Sequence, residues 1–246
     1  MSRYNETMQK AIIIGATSGI GRALALELSR RGYAVGIAGR REELLREVQE
    51  DLVGPSATMM LDVAQPEEAI NQINALIAAL GGMDLLVISS GVGIPNPELD
   101  FPPERDTIAV NVTGFVAMAT AGFRYFAGQG GGHLVGISSI AGLRGTRANP
   151  AYGASKAFEI NYLEALRARA RHQGMKLTVT DIRPGFVETP MTHGQSGMFW
   201  VAGVEKAARQ IADAIARKRR VAYITHRWAI VAWIARHLPA WVLERI

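Results

Sequence analysis

The 246-residue chain contains no cysteine, which excludes disulfides, Cys-based zinc sites and thiol chemistry. Its five histidines, His133, His172, His193, His226 and His237, show no ligand spacing, so no metal site is expected. No apolar run reaches the ~20 residues that span a bilayer. Residues 1–10 are polar and lack the apolar stretch of a signal peptide. These absences predict a cytoplasmic protein. Nor is there a strong excess of either charge. The 27 Lys and Arg against 22 Asp and Glu leave +5, enough to favour a polyanionic ligand and too little to imply nucleic acid. No repeat at solenoid spacing and no low-complexity segment is present.

What the chain does have is glycine, 26 in 246 residues against an average near ~7%. The glycines sit at the ends of short apolar runs, where a strand turns into a helix. Lys10–Ile14 (KAIII) reads as a buried strand followed by a helix over about 19–31. A strand at 33–39, a helix at 41–53 and a strand at 58–62 come next, then a helix over 67–80 with Pro66 where its first turn would begin. Strands at 85–89, 133–138 and 177–182 alternate with helices at about 106–126 and 152–172, and a helix near 205–216 leads to a seventh strand, Val221–Ile224. Continuously apolar strands, each followed by a helix, predict a parallel sheet covered on both faces. With no linker or composition break, residues 1–246 read as one doubly wound α/β domain.

The first strand–helix junction is Gly15-Ala16-Thr17-Ser18-Gly19-Ile20-Gly21. Glycines there allow a tight turn and let backbone N–H groups approach a pyrophosphate at a helix N-terminus, where the dipole favours anions. The spacing is G-x3-G-x-G, not the commoner G-x-G-x-x-G, and an ordinary glycine-rich turn is the alternative. The end of the second strand selects between cofactors. A site for NAD(H) would place Asp or Glu there to bind the ribose 2′-hydroxyl, but the sequence has Gly39-Arg40-Arg41. A carboxylate repels a 2′-phosphate, whereas a guanidinium binds it through two charge-assisted hydrogen bonds. The pair therefore reads as NADP(H)-binding, the alternative being solvated arginines facing Glu42 and Glu43. Asp62 ends the third strand, suited either to an adenine amino group or to a turn.

Tyr152 and Lys156 stand at i and i+4 on one helix face. An ammonium held beside a phenol favours the phenolate, which makes Tyr152 a usable general acid for ketone reduction and base for alcohol oxidation. Ser138-Ser139 ends a strand thirteen residues earlier, counted from Ser139, where a hydroxyl can polarise a carbonyl. Asn111 falls in a helical segment, an unusual place for a buried amide unless it is satisfied or functional.

Together these residues resemble the short-chain dehydrogenase/reductase family of the short single-domain type, over about residues 10–224. The matching elements are GATSGIG at 15–21, Asp62-Val63, Asn111, Ser139, Tyr152, Lys156 and Pro184-Gly185-Phe186-Val187-Glu188-Thr189. The resemblance implies a Rossmann domain with a seven-stranded parallel sheet, and hydride transfer between NAD(P)H and a carbonyl or alcohol. It implies that Tyr152 is the acid/base and that Ser139 orients the carbonyl. Lys156 would bind the nicotinamide ribose, and Asn111 would hold a water linking Lys156 to solvent. Val187 and Thr189 would hold the carboxamide and pyrophosphate ends of the cofactor, and Arg40 matches the position that reads the 2′-phosphate. Two departures stand out: Ile14 replaces the usual Thr before the first loop glycine, and Ile88-Ser89-Ser90-Gly91 replaces Asn-Asn-Ala-Gly. Ser89, Ser90 and Gly91 are expected to support the cofactor in place of those amides, with a looser strand-end network.

The segment at about 190–204, with Met191, Met198, Phe199 and Trp200, is expected to be a lid over an apolar substrate with a small polar end. The alternative is a lid whose Phe199 and Trp200 simply anchor it to the core. Arg144 near the pocket mouth would attract an acidic substrate, and His193 reads as solvated. Three of the four tryptophans, Trp228, Trp233 and Trp241, lie in the tail at 225–246, after Arg217-Lys218-Arg219-Arg220. The tail is expected to fold over its own pocket or a partner subunit, burying the tryptophans. An interfacial membrane anchor is the alternative. The chain thus reads as an NADP(H)-dependent carbonyl reductase or alcohol dehydrogenase, a homodimer or homotetramer by family habit. Its rivals are NAD-dependent alcohol oxidation on the same site and a non-catalytic NADP(H)-binding scaffold or sensor.

Overall fold

In the computed structural model, which describes residues 8–239 apart from 146, 148, 195 and 196, together with Trp241, β1 (Lys10–Ile14) is buried on both faces. Ile12 and Ile14 enter one core and Ala11 and Ile13 the other, which explains why the strand is apolar throughout rather than alternating. Each wholly buried Ile or Leu contributes ~1.5–3 kcal/mol relative to exposure.

Six further strands join β1: β2 (Ala34–Gly39), β3 (Ser56–Met60), β4 (Leu85–Ile88), β5 (Gly131–Ile137), β6 (Lys176–Pro184) and β7 (Val221–Ile224). All pair in parallel, in the order β3-β2-β1-β4-β5-β6-β7. One core packs α3 (Pro66–Leu80), α5 (Phe115–Gln129) and α6 (Pro150–His172) on the sheet. The other packs α1 (Gly19–Arg30), α2 (Glu42–Glu50) and α7 (Val204–Ala216). The chain winds outward from β1 in one direction, then returns to place β4 on the other side. That reversal opens a crevice at the C-terminal ends of β1 and β4. The single doubly wound domain and its seven parallel strands are as the sequence predicts.

Two segments differ from expectation. The third strand starts and ends two residues early: Pro55 O already bonds Val35 N at 3.0 Å, and Asp62 turns the chain by accepting Ala64 N at 3.0 Å. The helix expected at 106–126 starts at α4 (Phe101–Ile108), with Pro102 and Pro103 in its first turn, where a missing N–H costs nothing. It then passes through a π-helical turn, Ala109–Gly114, before α5, and that turn contains Asn111. Phe101–Gln129 is also long and apolar enough to cross a membrane by length and composition, contrary to the expectation of no such run; 56% of its most apolar window is buried inside the domain.

Candidate active site

The crevice holds a cavity of about 350 Å³, walled by the ends of β1, β2, β4, β5 and β6 and the start of α6. Gly15 turns the chain with φ +88, and a Cβ there would lie 2.6 Å from Ser90 N, so only glycine serves. Ser18 precedes α1 without a side-chain cap, and the first turn carries no acid. The opening N–H groups of α1 therefore face the cavity with their positive dipole end unopposed. Gly15, Thr17, Ser18, Gly19, Ile20 and Gly21 all line this wall.

At the end of β2 both arginines line the cavity and both are exposed. Arg40 makes no ion pair with Glu42 or Glu43; Glu42 instead pairs with Arg46 at 2.6 Å. Arg41, the second arginine of the pair, donates to Thr17 Oγ1 at 2.7 Å and Ser18 Oγ at 3.1 Å. It joins the phosphate loop to the β2 end and adds a second guanidinium there. Asp62 serves its turn and also lines the cavity with Val63.

Ser89, Ser90 and Gly91 follow β4 on the cavity wall. The Ser90 hydroxyl is buried and has no hydrogen-bond partner among the described residues, a group that calls for a ligand atom or water. The strand end is not loose. Ser89 N donates to Ile14 O at 2.8 Å. Asn111 clamps the next residue on both sides, accepting from Val92 N at 2.8 Å and donating to Val92 O at 2.8 Å, with a further bond to Ser155 Oγ at 3.0 Å. Asn111 is wholly buried and stands behind the cavity wall rather than on it. A side-chain amide on the π-helical turn thus braces the chain just after β4.

Ser139, Tyr152 and Lys156 share the cavity. Ser139 Oγ accepts Ala141 N at 3.1 Å, capping the 3-10 turn Ile140–Leu143, and its own proton stays available to an oxygen in the cavity. Ser138 Oγ is spent on Asp181 and Ile182 O. Tyr152 is half-buried; a Cβ on Gly93 would lie 3.3 Å from its ring, so that glycine seats the phenol. Lys156 is 4% exposed, and all three ammonium protons have acceptors: Glu159 Oε1 at 2.8 Å, Oε2 at 2.9 Å and Ile137 O at 3.2 Å. Burial pushes this lysine down, but Glu159, Tyr152 and Asp181 outweigh it and carry the amine above its ordinary value. Glu159 is 0% exposed, and burial pushes its carboxyl up to about 7 against the opposing pull of Lys156, with Asp181 adding to the rise. Glu159 lies on the same helix face as Tyr152 and Lys156, at i+7 and i+3, and that spacing was the one signal that could have found it.

Pro184, Gly185, Val187 and Thr189 complete the cavity after β6. A Cβ on Gly185 would lie 2.1 Å from Trp228, the wholly buried first residue of α8 (Trp228–His237). Phe186 and Phe199 also pack on Trp228, at 5.5 and 5.0 Å between ring centroids. Phe199 and Trp200 thus reach Trp228 while staying 49% and 44% exposed; Met191 reaches the cavity, and His193 is exposed. Within the chain the tail buries Trp228, while Trp233 and Trp241 are 64% and 61% exposed on its own surface. Arg144 does not offer a free cation to an acidic substrate. Its guanidinium is spent on the carbonyls of Ala235, Arg236 and Leu238 at 2.8, 3.1 and 2.7 Å, capping α8. Ala240 and residues 242–246 of the tail lie outside the described residues.

The glycine cradle, the uncapped α1 N-terminus and the unpartnered Ser90 hydroxyl fit a pyrophosphate-linked dinucleotide. Among the described residues no group of three His, Asp or Glu could hold a metal ion.

Comparison with known proteins agrees with this geometry. Residues 9–198 match the short chain dehydrogenase family, a match that stops before the tryptophan-rich tail. An uncharacterized oxidoreductase of Myxococcus xanthus is 41% identical over 187 residues, 74% of this chain and 73% of that protein. A second, from Staphylococcus epidermidis, is 34% identical over 209 residues, 83% and 88% of the two chains. The fold is shared with a short-chain type dehydrogenase/reductase of Mycobacterium ulcerans, at TM-score 0.77 and 22% identity over 87% of each chain. The chain belongs to the short-chain dehydrogenase/reductase family, as a nicotinamide-dependent oxidoreductase built on one Rossmann domain.

Proposed function

We propose that the protein is an NADP(H)-dependent carbonyl reductase acting on a substrate that is apolar around its carbonyl. The observation that carries the cofactor choice is the pair Arg40 and Arg41 on the cavity rim, with no carboxylate at the β2 end. Two guanidiniums suit a 2′-phosphate, while the Glu42 that would screen them is engaged by Arg46. The α1 N-terminus and Thr189 would hold the pyrophosphate, Asp62 the adenine amino group, and Ser90 and Val187 the nicotinamide half.

NADPH, when bound, supplies the hydride that goes to the carbonyl carbon. The chain's own residues supply the rest. Tyr152 gives its phenolic proton to the carbonyl oxygen, Ser139 donates a hydrogen bond to the same oxygen, and Lys156 favours the phenolate that results. In the oxidative direction Tyr152 takes the proton back. Met191 and the seat formed by Gly93 give the substrate side an apolar wall.

The test is a calorimetric titration with NADPH and NADH of the wild type and of Arg40→Ala and Arg41→Ala. The expected result is NADPH binding at least ~10-fold tighter than NADH, one charge-assisted pair being worth about 1.5–3 kcal/mol, with the preference lost in Arg40→Ala. Equal affinity in the wild type, or a preference for NADH, overturns the cofactor assignment and makes NAD-dependent alcohol oxidation the better reading.

A further inference from the structure

Lys156 is held in a way the reaction alone does not require. An ammonium that served only a ribose and a phenol would keep protons free for them, yet here its three protons are taken by Glu159 Oε1, Glu159 Oε2 and Ile137 O. Among the described residues Glu159 makes no other side-chain bond, and it is 0% exposed. An isolated carboxylate or ammonium at that depth is costly, and removing either partner leaves an uncompensated buried charge. Neither group is therefore a bystander to the other. The remaining charged groups around the pair lie on neighbouring elements. Tyr152 is on the same helix, and Asp181 on β6 is itself tied to Arg183 at 2.6 Å and to Ser138, with Arg183 reaching Tyr223 on β7 at 3.2 Å.

We propose that Glu159 is a positioning residue of the active site: it fixes Lys156 against the end of β5 and balances the charge of its buried amine beside Tyr152. The carboxylate holds two ammonium protons firmly, and the longer bond to Ile137 O is the one that yields when another acceptor enters the cavity. Burial pushes the Glu159 carboxyl up only to about 7, so its carboxylate form predominates above that pH. Without Glu159, desolvation of Lys156 is opposed only by Tyr152 and Asp181. The consequence for turnover rests on the reductase reading; the charge of Lys156 itself does not.

The chain has five lysines, Lys10, Lys156, Lys176, Lys206 and Lys218, few enough to follow each by carbon NMR of lysine labelled at Cε. The full-length protein is titrated over about pH 7 to 11, with Lys156 assigned by its absence in Lys156→Arg. In the wild type the Lys156 signal is expected to hold its charged shift after the other four have titrated. In Glu159→Gln it is expected to lose its charged shift before they do, and in Glu159→Asp, which keeps the charge, to return to the wild-type order. The alkaline limb of the pH profile for NADPH-dependent carbonyl reduction, where Tyr152 must still hold its proton, should move to higher pH in Glu159→Gln, because an amine that has lost its charge no longer favours the phenolate, a change that a merely structural residue would not produce. A Lys156 that titrates with or before the other lysines in the wild type overturns the proposal, whether or not Glu159→Gln folds. So does a folded Glu159→Gln protein that keeps the wild-type titration. If Lys156 behaves as expected while no carbonyl is turned over with NADPH, the reductase reading fails and the role of Glu159 stands.

Discussion

Single side chains in this protein separate chemistry from scaffolding by where their protons go. Tyr152 lines the cavity, whereas Ser138, one residue from Ser139, spends its proton on Asp181. Tyr152→Phe removes one proton donor and leaves the ring seated on Gly93. Carbonyl reduction should fall by ~10²–10⁴ while NADPH affinity, measured by calorimetry, stays within about twofold. His133 on β5 is the opposite case. Buried beside Thr180 Oγ1 at 2.8 Å, it is held neutral, its pKa lowered from 6.5 to about 4 by burial and then by Lys218. Its unfolded form takes up a proton first as the solution is acidified, so the stability it contributes is full above pH 6.5 and is lost as pH falls toward 4. The loss amounts to ~3 kcal/mol. Urea unfolding at pH 7 and 4.5 should show a steep decline in the wild type and a flatter one in His133→Gln; equal declines would remove His133 as the cause.

Among the secondary-structure elements, α8 has the least obvious role, because its first residue forms part of the support for another element's motif. Trp228 fills the space left by Gly185 and carries Phe186 and Phe199 on its ring. Arg227 pins the lid from the same turn, donating to Trp200 O at 2.9 Å with its guanidinium 5.1 Å from that indole's ring centroid. Trp228→Ala should cost about 3–5 kcal/mol in chemical unfolding, and should weaken NADPH binding although Trp228 touches no part of the cavity. A stability loss with unchanged cofactor affinity would confine α8 to packing. How much of this was legible in the sequence depends on the reach of each interaction. The strand KAIII and its glycine loop are local signals, and every residue expected to hold the cofactor lines the cavity. Arg144 was misread because its acceptors lie more than ninety residues along the chain. Lone cations near a pocket mouth look alike until the element they cap is placed. Glu159 went unseen for a different reason: a Lys and Glu three apart on a helix are usually solvated, and only the depth of α6 against β5 and β6 makes this pair a buried one. The π-helical turn under Asn111 has no residue signature of its own.

At the scale of the whole molecule, the cavity lies between the two halves of the sheet, so a ligand that fills it ties both halves together. Anything bound only by the folded state stabilises it, by about 2.7 kcal/mol at one hundred times the dissociation constant. For a domain of 246 residues that corresponds to about 5–11 °C in Tm. NADPH should therefore raise Tm by this amount at a concentration where NADH raises it less, and Arg40→Ala should bring the two shifts together. Equal shifts in the wild type would count against the arginine pair as the selective element. The packing of Trp228 on Gly185 also has a consequence in time. Synthesis runs from the N-terminus, and the phosphate loop, the Tyr152–Lys156 helix and the Pro184-Gly185 turn all leave the ribosome before the residue that props that turn does. A nascent chain can assemble β1 to β6 while the cofactor wall still lacks its backing. Competence to bind NADPH should then arise late and in one step, once Trp228 has emerged.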